Sequence, residues 1–457
     1  MKKPKHRSGK GNPKGHESGA AAKSDSNARP SFMSWYIFSM IAVLGIAAFI
    51  ILPGDKSKDS SDSGTNNIAQ KNGKRGWFTR APLTKAHPEL VGPAGNHYRV
   101  VVDPTASLTS RRKAARELAR MDTDGAFIGL KKAIATAPAA VNAAIGEGLG
   151  ENRHPEARHL LQQLLEHTDE AVVRGAIRGM AARGDAEAVS VLSGILSDAK
   201  KPESLRTEAA LNLGEMEQPG VSKILVAAAL SSTDESLTEH ILTGLGKRPF
   251  NETQEFYREY IADKAVGLDA KAAALDALGN TPGPVSTFLV EQCSNPDPRL
   301  REAAARSLSQ VDDPGNYAPA VITALQKETS PEVRARLYET LSNQKDFDSS
   351  AIVAMAKNET NLRAQLGAWH LLADLCRQQP TPEVTDYFSQ KGVPVLKAMA
   401  LQSTDAFNRL DSVITLRKAK TPESYTALED ISKTATDRRV VEAAQAAINS
   451  RRDRSPK

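Results

Sequence analysis

Leu205-Arg206-Thr207-Glu208-Ala209-Ala210-Leu211-Asn212-Leu213-Gly214 decides the fold, because its pattern returns along the chain. The pattern is a polar or Pro cap, an acid, a Val or Leu, often an Arg, an Ala-rich run and often a closing Gly. It recurs at Glu170-Ala171-Val172-Val173-Arg174, Asp297-Pro298-Arg299-Leu300-Arg301, Pro331-Glu332-Val333-Arg334 and Thr360-Asn361-Leu362-Arg363. Anchors at Val141, Val173, Leu205, Leu237, Leu268, Leu300, Val333 and Leu362 are separated by 32, 32, 32, 31, 32, 33 and 29 residues. A fixed period in this range is the signature of a solenoid, in which each unit buries its apolar face on its neighbours.

Each unit reads as two helices. In Asp185–Glu217, Val189, Leu192, Ile195 and Leu196 form one helical stripe, which Asp198-Ala199-Lys200-Lys201 interrupts. Pro202-Glu203 restarts a helix, since Pro suits the first turn and an acid complements the positive helix end. Leu205, Ala209, Leu211 and Leu213 fill its inner face, and Gly214 is expected to supply a left-handed cap. After Leu362 the next anchors are Phe407, 45 residues on, and Val440, a further 33. The long gap holds Thr381-Pro382-Glu383 and Gly392-Val393-Pro394 and predicts an extra or broken helix near 383–401. The expectation is about ten helix pairs with a leading helix at 108–121.

These segments, with Ala272-Ala273-Ala274-Leu275-Asp276-Ala277-Leu278-Gly279, resemble HEAT repeats, in particular the short HEAT-like class named after phycobilisome lyases. The resemblance covers roughly 105–450. It implies an all-α fold: a right-handed α-solenoid whose second helices line the concave side. Leu237-Thr238-Glu239-His240 departs from the pattern by lacking the Arg, and the period fails around 376–407.

The N-terminal part has a different composition. Residues 1–33 carry Lys2, Lys3, Lys5, Arg7, Lys10, Lys14, Lys23 and Arg29 against Glu17 and Asp25, which accounts for the whole formal charge of +6. The remainder balances at 52 basic and 52 acidic side chains, so the repeat region lacks the net positive charge of a phosphate-binding surface. The first 33 residues read as a disordered basic cytoplasmic tail. Residues 34–52 are uncharged, about 28 Å long as a helix, and begin with Trp35 and Tyr36 at interface positions. A buried helix lacks a nearby amphipathic partner, and a cleaved signal peptide lacks a clean cleavage site. A retained transmembrane signal anchor fits best, with the bilayer as a partner through 34–52. The positive-inside rule then places the tail in the cytoplasm and the repeats outside, facing a bacterial periplasm from the inner membrane. Residues 53–76 read as a flexible tether and 77–103 as an irregular membrane-proximal segment with a short strand at His97–Val102. Residues 104–457 form the solenoid.

No catalytic, cofactor-binding or metal-ligating residue emerges. His154, His159 and His167 do not share a helical face, and Cys293 and Cys376 fall in separate repeats and read as buried hydrophobes. Phosphate loops, zinc-protease motifs and nucleophile elbows are missing. The sequons at Asn251 and Asn358 are near chance. The row Arg174, Arg206, Arg301, Arg334 and Arg363 invites a binding reading, but acids at neighbouring helix starts (Glu170, Glu203, Asp297, Glu332 and Glu359) favour a structural ladder. The function expected is a membrane-anchored, non-enzymatic scaffold with an unknown protein or peptide partner on the solenoid surface. The alternatives are bilin handling like the phycobilisome lyases and, more remotely, nucleic-acid binding like the alkylpurine DNA glycosylases.

Overall fold

The computed structural model describes residues 90–312, 315–345 and 347–452. Its helices are α1 (Gly92–Val102), α2 (Leu108–Arg120), α3 (Asp124–Thr136), α4 (Ala139–Leu149), α5 (Pro155–Leu165), α6 (Glu170–Arg183), α7 (Ala186–Ser197) and α8 (Glu203–Glu215). They continue as α9 (Val221–Ser231), α10 (Glu235–Leu245), α11 (Phe250–Ala262), α12 (Leu268–Ala277), α13 (Ser286–Gln292), α14 (Pro298–Leu308), α15 (Ala318–Lys327) and α16 (Pro331–Leu341). The last are α17 (Ser349–Lys357), α18 (Leu362–Gln378), α19 (Pro382–Tyr387), α20 (Val393–Gln402), α21 (Ala406–Ala419), α22 (Pro422–Thr434) and α23 (Arg438–Arg452). Among the described residues there is no strand.

The local code of one helix explains the rest. Asp169 accepts a hydrogen bond from the Ala171 N–H and Glu170 sits in the first turn, so the exposed donors and the positive end of α6 are both met. Val172, Val173, Ala176, Ile177 and Met180 form its buried stripe. Gly184, at φ 58°, closes the helix in the left-handed conformation that a side chain would resist. Each buried Leu, Ile or Val contributes about 1.5–3 kcal/mol against the unfolded chain.

Even-numbered helices α2 to α18, then α21 and α23, stack on one another as second helices, and the others pack outside them. Two glycines show how close this stack is. A Cβ on Gly179 of α6 would lie 2.1 Å from the Gly146 carbonyl of α4, and one on Gly214 of α8 would lie 2.2 Å from the Gly244 carbonyl of α10. Gly214 is therefore helical and permits backbone contact; it is not the left-handed cap the sequence suggests. From α3 to α19, first helices of adjacent pairs touch far less.

Three expectations change and one is met. His97–Val102 is not a strand: it belongs to α1, which packs on α2 and α3. The leading helix at 108–121 is therefore the second member of a pair, and the described residues hold eleven pairs. The long gap before Phe407 holds the broken helix expected near 383–401, as a first helix: α19, a π-helical turn at Phe388–Gly392, and α20. An intact Thr381 side chain caps its start, receiving a bond from the Val384 N–H. Finally, the localisation expected from the sequence, a single-pass membrane protein with its N-terminus in the cytoplasm, is corrected. Among the described residues no helix is long and apolar enough to cross a membrane. The longest, α18, has 17 residues and carries Arg363, Asp374 and Arg377. The segment 34–52 lies outside the described residues, as do the tail and the tether.

Candidate interaction surface

The arginine row divides once the helix caps are known. Counting from the N-cap, the fourth residue of a second helix faces back towards the end of its own first helix. Arg206 holds this position in α8, and its Nε donates to the Leu196 carbonyl at 2.9 Å. Arg301 donates to the Asn295 and Pro296 carbonyls at 2.9 and 3.0 Å, and Arg334 to those of Leu325 and Glu328 at 2.6 and 2.9 Å. These carbonyls end or follow the first helix and would otherwise lack donors. In these three pairs the row thus joins the second helix to the end of its first.

The same register reveals members that anchor counting misses. Arg111 donates to the Val101 carbonyl, Asn142 to those of Ile134 and Ala137, Gln365 to Glu359, and Arg409 to Ser403 and Thr404. Arg174 and Arg363 fall outside it and have no hydrogen-bond or ion-pair partner among the described residues. The anchor Leu362 is one reason: it is 49 % exposed, whereas Ala364 is fully buried and marks the true register. Asp405 to Arg409 repeats the step from Asp297 to Arg301, so the unit there is one residue out of phase with Phe407.

Three of these arginines also reach into the next repeat. Arg301 forks onto Glu328 at 2.6 and 2.8 Å, Arg334 onto Glu359, and Arg409 pairs with Asp437 at 2.7 Å. Glu359 also accepts from the Tyr338 hydroxyl at 2.7 Å. Of the five acids expected in the ladder, only Glu359 pairs with an arginine of the row. Asp297 caps α14 through the Arg299 N–H, and Glu332 takes a bond from the Ser330 hydroxyl. Glu328 and Glu359 follow a first helix instead of starting a second one, whereas Asp437 precedes α23 and also accepts from the Arg439 N–H.

The remaining candidates have local roles. His154 caps α5 by accepting from the Glu156 N–H and lies against Phe127, with ring centres 4.7 Å apart. His159 pairs with Gln163, and His167 accepts from the Asp169 N–H. Cys293 and Cys376 are buried free thiols, each pushed up to about 12 by that burial. Among the described residues no three His, Cys, Asp or Glu side chains gather as a metal site.

The exposed face of the second helices carries a different pattern. Arg116 of α2 binds Glu147 of α4 at 2.6 Å, Glu147 also binds Arg178 of α6 at 3.2 Å, and Arg178 binds Glu208 of α8 at 2.7 Å. One alternating line of charge therefore crosses four consecutive second helices. Farther on, Arg306 forks onto Asp276 at 2.9 and 2.8 Å, and Arg336 lies between Glu302 at 3.7 Å and Glu339 at 2.8 Å. Such part-exposed pairs are worth up to about 1 kcal/mol each. A groove of about 310 Å³ lies on the first line, lined by Arg112, Ala140, Ala143, Glu147, Ala171, Arg174, Arg178 and Glu208. A groove of about 430 Å³ near α15 to α18 has Glu328, Arg334 and Glu359 in its wall, all engaged as described above.

A sequence-family model described as HEAT repeats matches residues 128–214, 157–246 and 267–342. No curated protein matches the chain. Among solved structures, Kap121p is 12 % identical with a TM-score of 0.46, covering 79 % of this chain and 45 % of its own. A Kap95p complex with RanGDP is 12 % identical with a TM-score of 0.42, covering 82 % and 52 %. An engineered protein is 19 % identical with a TM-score of 0.27, covering 79 % and 98 %. The chain thus spans about half the length of the karyopherin chains it matches.

Proposed function

We propose that this HEAT-repeat protein is a non-enzymatic scaffold, which offers the exposed face of its second helices to a protein or peptide partner. The observation that carries this reading is the line Arg116–Glu147–Arg178–Glu208 with its groove: a polar surface continuous over several repeats. Repeat arrays of this kind offer extended surfaces for partners. Close stacking makes the second-helix side the shorter one, so a partner laid along it meets side chains from several units at once. On this face Arg116, Glu147, Arg178 and Glu208 are engaged with one another across repeats, which suits a surface for partners.

The test is crosslinking in cells, with a photoreactive residue placed at Ala143 or Thr243 on the second helices, or at Leu230 on a first helix. The scaffold reading expects a discrete protein adduct from the second-helix positions and none from Leu230. Adducts from Leu230 alone would refute it. So would tight binding of a tetrapyrrole pigment by the purified protein, which would favour ligand handling.

A further inference from the structure

We infer that the groove across α2, α4 and α6 takes an acidic peptide segment, whose carboxylates are held by Arg112 and Arg174. This rests on the scaffold reading and names the chemistry of the partner.

Arg112 and Arg174 are each the fifth residue after the N-caps Ser107 and Asp169. They therefore stand on the same row of alternate second helices, with Ala143 at the equivalent place on α4 between them. Neither arginine has a partner among the described residues, although Arg116 and Arg178, one turn farther along the same helices, are both paired. The acids of the groove are already engaged: Glu147 by Arg116 and Arg178, Glu208 by Arg178 and the Asn212 amide. Neither acid bonds Arg112 or Arg174, whose guanidinium groups are left to an incoming carboxylate.

The shape of the groove agrees with this charge. Ala140, Ala143 and Ala171 form a low floor between the arginines, so a main chain can approach the helices. A volume of about 310 Å³ is at the lower end of ligand-site sizes, which suits a short extended segment. Guanidinium forks bind carboxylates in two-pronged fashion, and opposite charge at a groove favours encounter as well as affinity. The lining contains no aromatic ring, so it offers no platform on which nucleic-acid bases would stack.

The experiment uses the full chain and two fluorescent octapeptides, alternating Glu with Ala and alternating Gln with Ala, followed by anisotropy. The Glu peptide should bind more tightly than the Gln peptide. Arg112→Ala/Arg174→Ala should weaken the Glu peptide by about tenfold or more, with an unchanged melting curve because neither side chain has a partner to lose. Lys200→Ala/Lys264→Ala removes the same charge from exposed positions elsewhere and should change binding less than twofold. Equal losses in the two double variants would overturn the proposal, as would equal binding of the two peptides. Displacement of the Glu peptide by a single-stranded oligonucleotide that binds the groove more tightly would also overturn it. If the peptide results fail while crosslinking still captures a partner on the second helices, the acidic partner is refuted and the scaffold stands. If crosslinking fails as well, the scaffold reading falls with it.

Discussion

Arg301→Ala is the sharpest test of how the repeats are joined. The substitution removes two bonds to Glu328, at 2.6 and 2.8 Å, and the donors to the Asn295 and Pro296 carbonyls. The Glu328 side chain is 3 % exposed and that of Arg301 is 17 % exposed, so this is a buried pair broken from one side. Such a change costs about 3–5 kcal/mol, because the remaining charge is stranded. Water can enter from the Arg301 side, so the expected loss is about 3 kcal/mol, against about 1 or less for a surface pair. Burial pushes the Glu328 carboxyl up, but Arg301 and the N–H groups of Ser330 and Thr329 outweigh it and leave the carboxyl below the usual range. A depressed folded value means the stabilisation is complete above the unfolded carboxylate pKa of about 4.3 and is lost as pH falls through the folded value. In the variant burial dominates and the Glu328 value rises, so protonation relieves the stranded charge. The gap between the two proteins should therefore narrow from pH 7 to pH 4. Urea unfolding followed by circular dichroism measures it, with hydrogen exchange at α14 to α16 because an array need not unfold in one step. A double-mutant cycle should couple Arg301 to Glu328 and show almost no coupling to Glu332. A loss below 1 kcal/mol at pH 7, or a gap independent of pH, would refute the reasoning.

Three further outcomes are expected. Gly179→Ala should lower the melting temperature sharply, because its Cβ would meet the Gly146 carbonyl at 2.1 Å, while Gly194→Ala in open space should be neutral or stabilise by up to about 1 kcal/mol; equal melting curves for the two would contradict the close stack. The Asp437 carboxyl, held at about 2 first by Arg409 and then by the Arg439 N–H and side chain, should titrate back towards its ordinary value in Arg409→Ala when followed by carbon NMR. Its contribution to stability should persist above about pH 4 and disappear as pH falls towards 2. Cys293 and Cys376 should react slowly with a thiol reagent in the native protein and quickly in denaturant, because both are buried and their thiols are pushed up to about 12; rapid native labelling would count against their packing.

The period made the helix pairs legible, because a residue such as Leu205 or Leu300 must be buried once per unit whatever the rest of the sequence does. What it could not show was phase to one residue. Leu362 is apolar and falls near the expected place, yet the cap at Asn361 sets the register and buries Ala364 instead. The partners of the arginines were hidden for a related reason. Glu328 and Glu359 lie beyond the ends of first helices, and contact across repeats depends on how those ends are placed, not on spacing within one helix. Helix α1 was misread because His97–Val102 is rich in β-branched residues, whose strand preference is overridden once Ala94 and Val101 find a buried seat against α2 and α3. Arg112 carried no signal at all, since an arginine becomes noticeable there only when its neighbours are seen to be occupied.

The glycine contacts of the second helices have a mechanical consequence. Where backbone meets backbone, as at Gly179 against Gly146 and Gly214 against Gly244, little compression is possible and small separations lose contact at once. Across the first helices from α3 to α19, contacts are sparse and side chains such as Leu230 stand 65 % exposed. Stiffness is therefore unequal across the thickness of the array. It should flex as a bound book does, with the glycine side as the spine and the outer helices fanning apart or closing. Bending of this kind changes the outer edge by ångströms while leaving the spacing of Arg112, Ala143 and Arg174 almost fixed, so a ligand gripped along the spine would be carried through the motion without being released.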